Sequence, residues 1–212
     1  MGHSAAIVVA AGGGERFGGP KQFLRLGTSR LVDHAVAAAA AVCDAVIVVL
    51  PAGHPWDGAP VTATVPGGAT RAASVRAGLT AVPGSTEVIV VHDAARPLAT
   101  PELFRAVIAA VDAGADAAIP AVPIADTVKR VDGDRVLDTL PRENLVAVQT
   151  PQAFRAETLR AAHRDAGDAT DDAALVEGAG GTVRTVAGDP RNRKVTTTSD
   201  LVVVAALLDA QP

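Results

Sequence analysis

The sequence predicts one α/β domain, doubly wound around a mostly parallel sheet, with a β-hairpin arm inserted at residues 124–143. Three observations carry this. Short β-branched runs, uncharged on both faces, alternate with small-residue segments at helical spacing, as strands covered on both sides require. The first run ends in a glycine-rich loop closed by a cation, at residues 5–22, AAIVVAAGGGERFGGPKQ. The alternation breaks once, at TVKRVDGDRVLDTL, where two alternating runs flank an Asp-Gly pair as the strands of a hairpin do.

Taken in order, residues 5–11 form a buried strand, and Gly12, Gly13 and Gly14 follow directly. Each glycine costs about 1 kcal/mol of backbone order relative to alanine, so three together need a reason, and amides closing on a phosphate supply one. Arg16 and Lys21 add the charge that bare amides lack. Neither common phosphate loop fits. Phe17 stands where the dinucleotide fingerprint needs its third glycine, and Pro20 and Gln22 break the P-loop pattern around Lys21.

Residues 31–42 read as a helix and 45–50 as the next strand, a βαβ step. Proline and glycine exclude regular structure from PAGHPWDGAP, where Trp56 is a surface cover, and a strand follows at 61–65. After a turn at Gly67 and Gly68, Thr70 caps a helix running to about residue 82. The strand at 87–91 ends in HDAARP, and Thr100 caps a helix over 101–113 with Pro101 at its first position. Another strand spans 115–122. The hairpin arm that follows has little core of its own, so it is expected to pack on another subunit or to cover the site. Residues 145–150 return to the strand pattern and meet PQAF. Helices at 156–166 and 171–177, a strand at 182–187 and a last helix capped by Ser199, amphipathic through Leu201, Val204 and Leu208, complete the chain. No repeat or linker divides residues 1–212.

Composition narrows the function. Hydrophobic content of 49% with 2% aromatic residues implies a core of Ala, Val and Leu, and the single Cys43 excludes an intramolecular disulfide framework. A net charge of −4 argues against general attraction to nucleic acid or to an anionic membrane, so an anionic ligand must be held by a local cluster of cations. No apolar run reaches membrane-spanning length, and MGHSAA lacks the cationic start of a secretory signal, so a soluble cytoplasmic protein is expected.

The polar clusters fall at strand ends: Arg16 and Lys21, Asp93 and Arg96, Asp126 and Thr127, Thr150, and Arg193 with Lys194. In a parallel sheet these ends converge on one crevice, which predicts a polyphosphate site. Protein nucleophiles are not expected: Ser74 lacks a strained elbow, and Cys43 ends an alanine-rich helix. The histidines have no metal-ligand spacing, and His92 reads as a packed neighbour of Asp93. A magnesium ion carried by nucleotide phosphates and held by one carboxylate at most, Asp93, is compatible with the set.

Seven motifs in order, AAGGGERFGGPKQF, GGATRAAS, HDAARP, ADTVKR, QTPQAF, TDDAALVE and NRKVTTTSDL, resemble the 2-C-methyl-D-erythritol 4-phosphate cytidylyltransferases over nearly the whole chain. The resemblance implies transfer of CMP from CTP to methylerythritol phosphate with magnesium, releasing pyrophosphate. It implies that Arg16 and Lys21 stabilise the transition state, and that Ala10, Ala11 and the amides of Gly12, Gly13 and Gly14 hold CTP. Gly68 and Ser74 would lie against cytosine. Arg142 and Lys194 would position the acceptor's phosphate, with Asp93, Arg96, Thr127 and Thr150 around the acceptor and metal. It further implies a homodimer of interlocked arms, in which Arg142 or Thr127 can serve the neighbouring subunit. Two departures stand out: a short loop between Arg16 and Lys21, and Ala69 where several relatives carry an acid. A chain ending at Pro212 is expected to carry no fused downstream enzyme. The rivals are a cytidylyltransferase for another polyol phosphate, such as ribitol 5-phosphate, and a nucleotide-binding regulator without turnover.

Overall fold

The computed structural model describes residues 3–14, 17–164, 169 and 171–210. In chain order the elements are β1 (Ser4–Val9), β2 (Arg25–Leu26), β3 (Ser29–Arg30), α1 (Leu31–Ala40), β4 (Ala45–Leu50), β5 (Ala63–Pro66), α2 (Arg71–Ala81), β6 (Val88–Asp93) and α3 (Pro101–Asp112). Then come β7 (Ala117–Pro123), β8 (Val128–Asp132), β9 (Arg135–Leu140), β10 (Val146–Val148), β11 (Gln152–Arg155), α4 (Ala156–Ala162), α5 (Asp172–Gly178), β12 (Val183–Ala187) and α6 (Thr198–Asp209).

β1 lies inside the sheet because its apolar residues can be buried on both faces, and it pairs in parallel with β4 and β6. β5 extends the sheet beyond β4. On the other side, β11 pairs antiparallel with both β6 and β7, and β12 runs parallel to β7. β10 shares the β11 edge of β7, pairing Val148 with Ala121 where β11 pairs Ala153 with Ala118. The result is a parallel sheet with one interrupted antiparallel strand, as the predicted class requires.

The helices cover both faces. α1 and α3 close one core, where Val32, Val36, Phe104 and Val107 meet Ala6, Val8 and Val90. α2, α4 and α5 close the other, where Val75, Leu159 and Val176 meet Ile7, Ile89 and Phe154. Each of the Val, Leu, Ile and Phe side chains among these contributes about 1.5–3 kcal/mol on burial. α6 sits outside on a third cluster of Leu26, Leu31, Leu98, Val195 and Val204.

Several local readings are corrected. PQAF carries no expected element, yet β11 lies there: buried Gln152 opens it and Phe154 anchors it in the core. The cap of α6 is Thr197 rather than Ser199, because Thr197 and Asp200 exchange side chain-to-backbone hydrogen bonds in a capping box. α1 ends at Ala40 and β5 starts at Ala63, inside the expected limits. In the arm the two-residue connection is Gly133–Asp134, since Asp132 pairs with Arg135. The last residues of the helix expected at 156–166 lie outside the described residues, as does Thr170 beside the α5 cap Asp171.

Candidate active site

A cleft of about 280 Å³ opens between the glycine-rich loop and the start of α2. Of the sequence's candidates, Ala10, Ala11, Gly12, Gly13, Gly14, Lys21, Gly68, Ser74, Asp93 and Lys194 line it. Arg16 lies outside the described residues. Gly14 adopts φ +70°, and a methyl there would sit 1.8 Å from the Gly19 carbonyl oxygen, so the fold requires glycine at this turn. The Gly14 carbonyl accepts from the amides of Phe17 at 2.8 Å and Gly18 at 2.9 Å, which doubles the loop back towards Lys21. Buried Gln22 fixes its base, its Nε2 donating to the carbonyls of Ala10 at 2.7 Å and Gly12 at 3.0 Å.

The opposite wall is the N-terminus of α2. Thr70 caps it by accepting from the Ala73 amide at 3.1 Å. The Ser74 hydroxyl donates to the Thr70 carbonyl at 2.9 Å and accepts from the Gly68 amide at 3.2 Å, fixing the turn before the helix. The two walls meet at Gly67, where a methyl would lie 2.2 Å from the Ala11 Cβ.

Asp93, the last residue of β6, organises the floor. Its Oδ1 accepts from Arg71 Nε at 3.1 Å and its Oδ2 from Lys194 Nζ at 2.7 Å. Burial pushes this carboxyl up, but the Arg71 and Lys194 charges outweigh burial and hold it well below the usual carboxylate range. Arg71 stays protonated for the converse reason: burial opposes its charge, and Asp93 and Asp172 more than restore it.

A second cavity of about 200 Å³ shares Arg71, Asp93 and Lys194 with the first and adds Arg96, Gln149, Thr150 and Asp171. The Thr150 hydroxyl accepts from the Asp93 amide at 3.0 Å and sits 3.0 Å from His92 Nδ1. Arg96 donates to the carbonyls of Asn192 at 2.8 Å and Val148 at 3.3 Å, and burial lowers its pKa. Asn192 in turn donates to the Thr150 carbonyl at 2.9 Å, so the loop carrying Lys194 is tied to the β10–β11 junction. Among the described residues no group of three or more His, Cys, Asp or Glu could hold a metal.

Thr127 and Arg142 lie elsewhere, in a recess of about 480 Å³ on the arm that, among the described residues, shares no lining residue with the first two cavities. Arg142 donates there to the Ala125 carbonyl. Sequence reasoning passed over Arg71, Asp172, Gln149 and Asn192. The signal for Arg71 was a cation in the first turn of a helix with no acidic residue to balance it, where the helix dipole disfavours positive charge.

The family model for IspD, 2-C-methyl-D-erythritol 4-phosphate cytidylyltransferase, matches residues 4–210. A 2-C-methyl-D-erythritol 4-phosphate cytidylyltransferase of Frankia casuarinae is 47% identical, over 96% of this chain and 80% of the relative. A bifunctional enzyme IspD/IspF of Granulibacter bethesdensis is 45% identical over 94% of this chain, which spans 55% of that longer protein. Among solved structures, the 2-C-methyl-D-erythritol 4-phosphate cytidylyltransferase of Thermus thermophilus superposes with a TM-score of 0.86 at 34% identity, covering 99% of this chain and 100% of that one.

Proposed function

The chain belongs to the 2-C-methyl-D-erythritol 4-phosphate cytidylyltransferase family, and we propose that its charged cleft is where the cytidylyl group changes hands. The enzyme transfers CMP from CTP to methylerythritol phosphate in isoprenoid biosynthesis. An oxygen of the acceptor's phosphate bonds to the α-phosphorus of CTP while the bond from that phosphorus to pyrophosphate breaks.

The reading rests on Lys21 and Lys194 lining one cleft with the glycine-loop backbone. A phosphate monoester's second pKa is about 6, so the attacking oxygen is already ionised at neutral pH and no general base is required. The barrier is electrostatic. Two unit charges 4 Å apart repel by about 4 kcal/mol at an effective dielectric of 20, and each cation at the reacting centre offsets an amount of that order. Lys21 and Arg16 stabilise charge growing on the α-phosphate and the leaving group. Ala10, Ala11 and the loop amides hold CTP, with Gly68 and Ser74 against its base. Lys194 and Arg142 bind the acceptor's phosphate, and Asp93, Arg96, Thr127 and Thr150 surround the rest of the acceptor. Because the arm recess stands apart from the cleft, Arg142 and Thr127 act across a homodimer, from one subunit into the other's site.

Magnesium suits this donor set. It keeps waters and substrate phosphates as most of its ligands, and Asp93 has lone pairs beyond those that Arg71 and Lys194 engage. Bound with CTP and held by Asp93, the ion would neutralise phosphate charge. Among the described residues no helix is long and apolar enough to cross a membrane, and a cytoplasmic location fits the reading.

The test is pyrophosphate release from each nucleoside triphosphate with a panel of polyol phosphates. Turnover is expected with CTP, methylerythritol phosphate and magnesium. Release only with ribitol 5-phosphate, or nucleotide binding without release, would refute the assignment.

A further inference from the structure

Behind Asp93 lies a second carboxylate that lines neither cavity. Asp172, the first residue of α5, has a side chain 1% exposed. Its Oδ2 accepts from Arg71 Nη1 at 2.7 Å, and its Oδ1 lies 2.9 Å from Nε2 of buried His163. A carboxylate can only accept, so Nε2 of His163 carries the proton. One continuous chain therefore runs from His163 after α4, through Asp172 on α5 and Arg71 on α2, to Asp93 on β6 and Lys194 before α6.

Stability alone explains this chain poorly. Burying a carboxylate and a guanidinium carries a desolvation cost that their attraction only partly returns, and apolar side chains of similar volume often do as well. Arg71 also stands at the positive end of a helix, against the dipole. What the arrangement supplies is geometry. A guanidinium is a rigid planar fork, and with Nη1 held by Asp172 only the Nε edge reaches Asp93. Released from Asp172, Arg71 could swing both terminal nitrogens onto Asp93 and displace Lys194 from it.

We propose that Asp172 is a positioning residue for cytidylyl transfer: by clamping Arg71 it sets where Asp93 holds the Lys194 ammonium in the cleft. The proposal rests on the reading of Lys194 and Asp93 as acceptor-side groups. The experiment is steady-state kinetics with CTP, methylerythritol phosphate and magnesium on the wild type, Lys194→Ala, Asp172→Asn, Arg71→Lys and the double variant Arg71→Lys/Asp172→Asn. Asp172→Asn should lower kcat/KM for the acceptor by about tenfold or more while KM for CTP stays within about twofold. The double variant should be no worse than the poorer single one, because Asp172 acts through Arg71. A merely structural role would instead remove active enzyme and depress both substrates' kcat/KM equally.

Lys194→Ala separates the two levels. If it spares the acceptor's kinetics, the acceptor-side reading fails and the proposal with it. If it impairs them, the proposal is overturned by any of three results: unchanged acceptor kinetics in Asp172→Asn, equal losses on both substrates, or losses in the double variant that multiply. Should Asp172→Asn fail to fold, Arg71→Lys decides. Lysine keeps the charge but cannot bridge both carboxylates, so the same selective loss supports the proposal and wild-type kinetics overturn it.

Discussion

A histidine beside a carboxylate in a cleft would ordinarily be the first candidate for a general base, but His92 is fully buried and packs edge-on against Phe104. Its Nε2 faces the Arg96 carbonyl at 3.2 Å and its Nδ1 the Thr150 hydroxyl. Burial pushes its pKa down from 6.5 to about 4, with Arg96 and Arg71 adding to the fall and Asp93 opposing it. The unfolded chain therefore binds a proton below about pH 6.5 that the folded protein refuses until about pH 4. Stability should be full above that window and fall within it by up to about 1.4 kcal/mol per pH unit. Denaturant titrations across the window should show the slope, and His92→Gln should flatten it. Asp93 titrates below its ordinary range, so its contribution is lost only at lower pH. Lys21→Ala should lower kcat by about tenfold or more with thermal stability preserved, and an unchanged kcat would remove Lys21 from the mechanism. The packed role of His92 was legible from the sequence, and so was the inertness of Cys43, a buried thiol pushed up to about 12. Arg71 and Asp172 were not, because their partners lie 22 and 101 residues from Arg71 in the chain, beyond any local pattern.

Whole elements were easier to read than the loops that aim them. Thr70 and Thr100 cap α2 and α3 as their sequence signals predict, and β4 spans the expected residues. The β10–β11 edge was legible only in its first half. Pro151 and the polar Gln149, Thr150 and Gln152 mask a strand whose side-chain amides and Thr150 carbonyl are bonded to distant parts of the chain, Asp189, Asp171 and Asn192, rather than exposed to solvent. Buried Asn192 is the clearest case of an aiming residue, since its side chain joins the Lys194 loop to Thr150 and Gln149. Asn192→Ala should cost about 1–3 kcal/mol by leaving the Thr150 carbonyl without its donor, and should raise KM for the acceptor more than KM for CTP. Equal changes for both substrates would show that the loop does not set Lys194.

At the scale of the molecule, a sheet covered on both faces brings the glycine loop, the start of α2 and the end of β6 to one crevice, and the arm stands away from it. The arm is a two-stranded hairpin that leaves Val131 55%, Val136 54% and Leu137 48% exposed, apolar side chains on both of its faces that a second subunit would cover. Analytical ultracentrifugation should find a dimer, and Val131→Asp with Leu137→Asp should give a monomer with sharply reduced turnover, because Arg142 would no longer reach a neighbouring cleft. The motif order carried the overall fold, whereas the spatial separation of Arg142 and Thr127 from Lys194 depends on how a hairpin projects, which no residue pattern encodes. The central claim is that two phosphates meet in a cradle of amides and cations with no protein group attacking phosphorus. Stereochemistry at the α-phosphorus tests it most directly, using CTP chirally substituted with sulfur there. A single in-line displacement predicts inversion of configuration in the product, whereas retention would reveal a covalent enzyme intermediate and contradict the account.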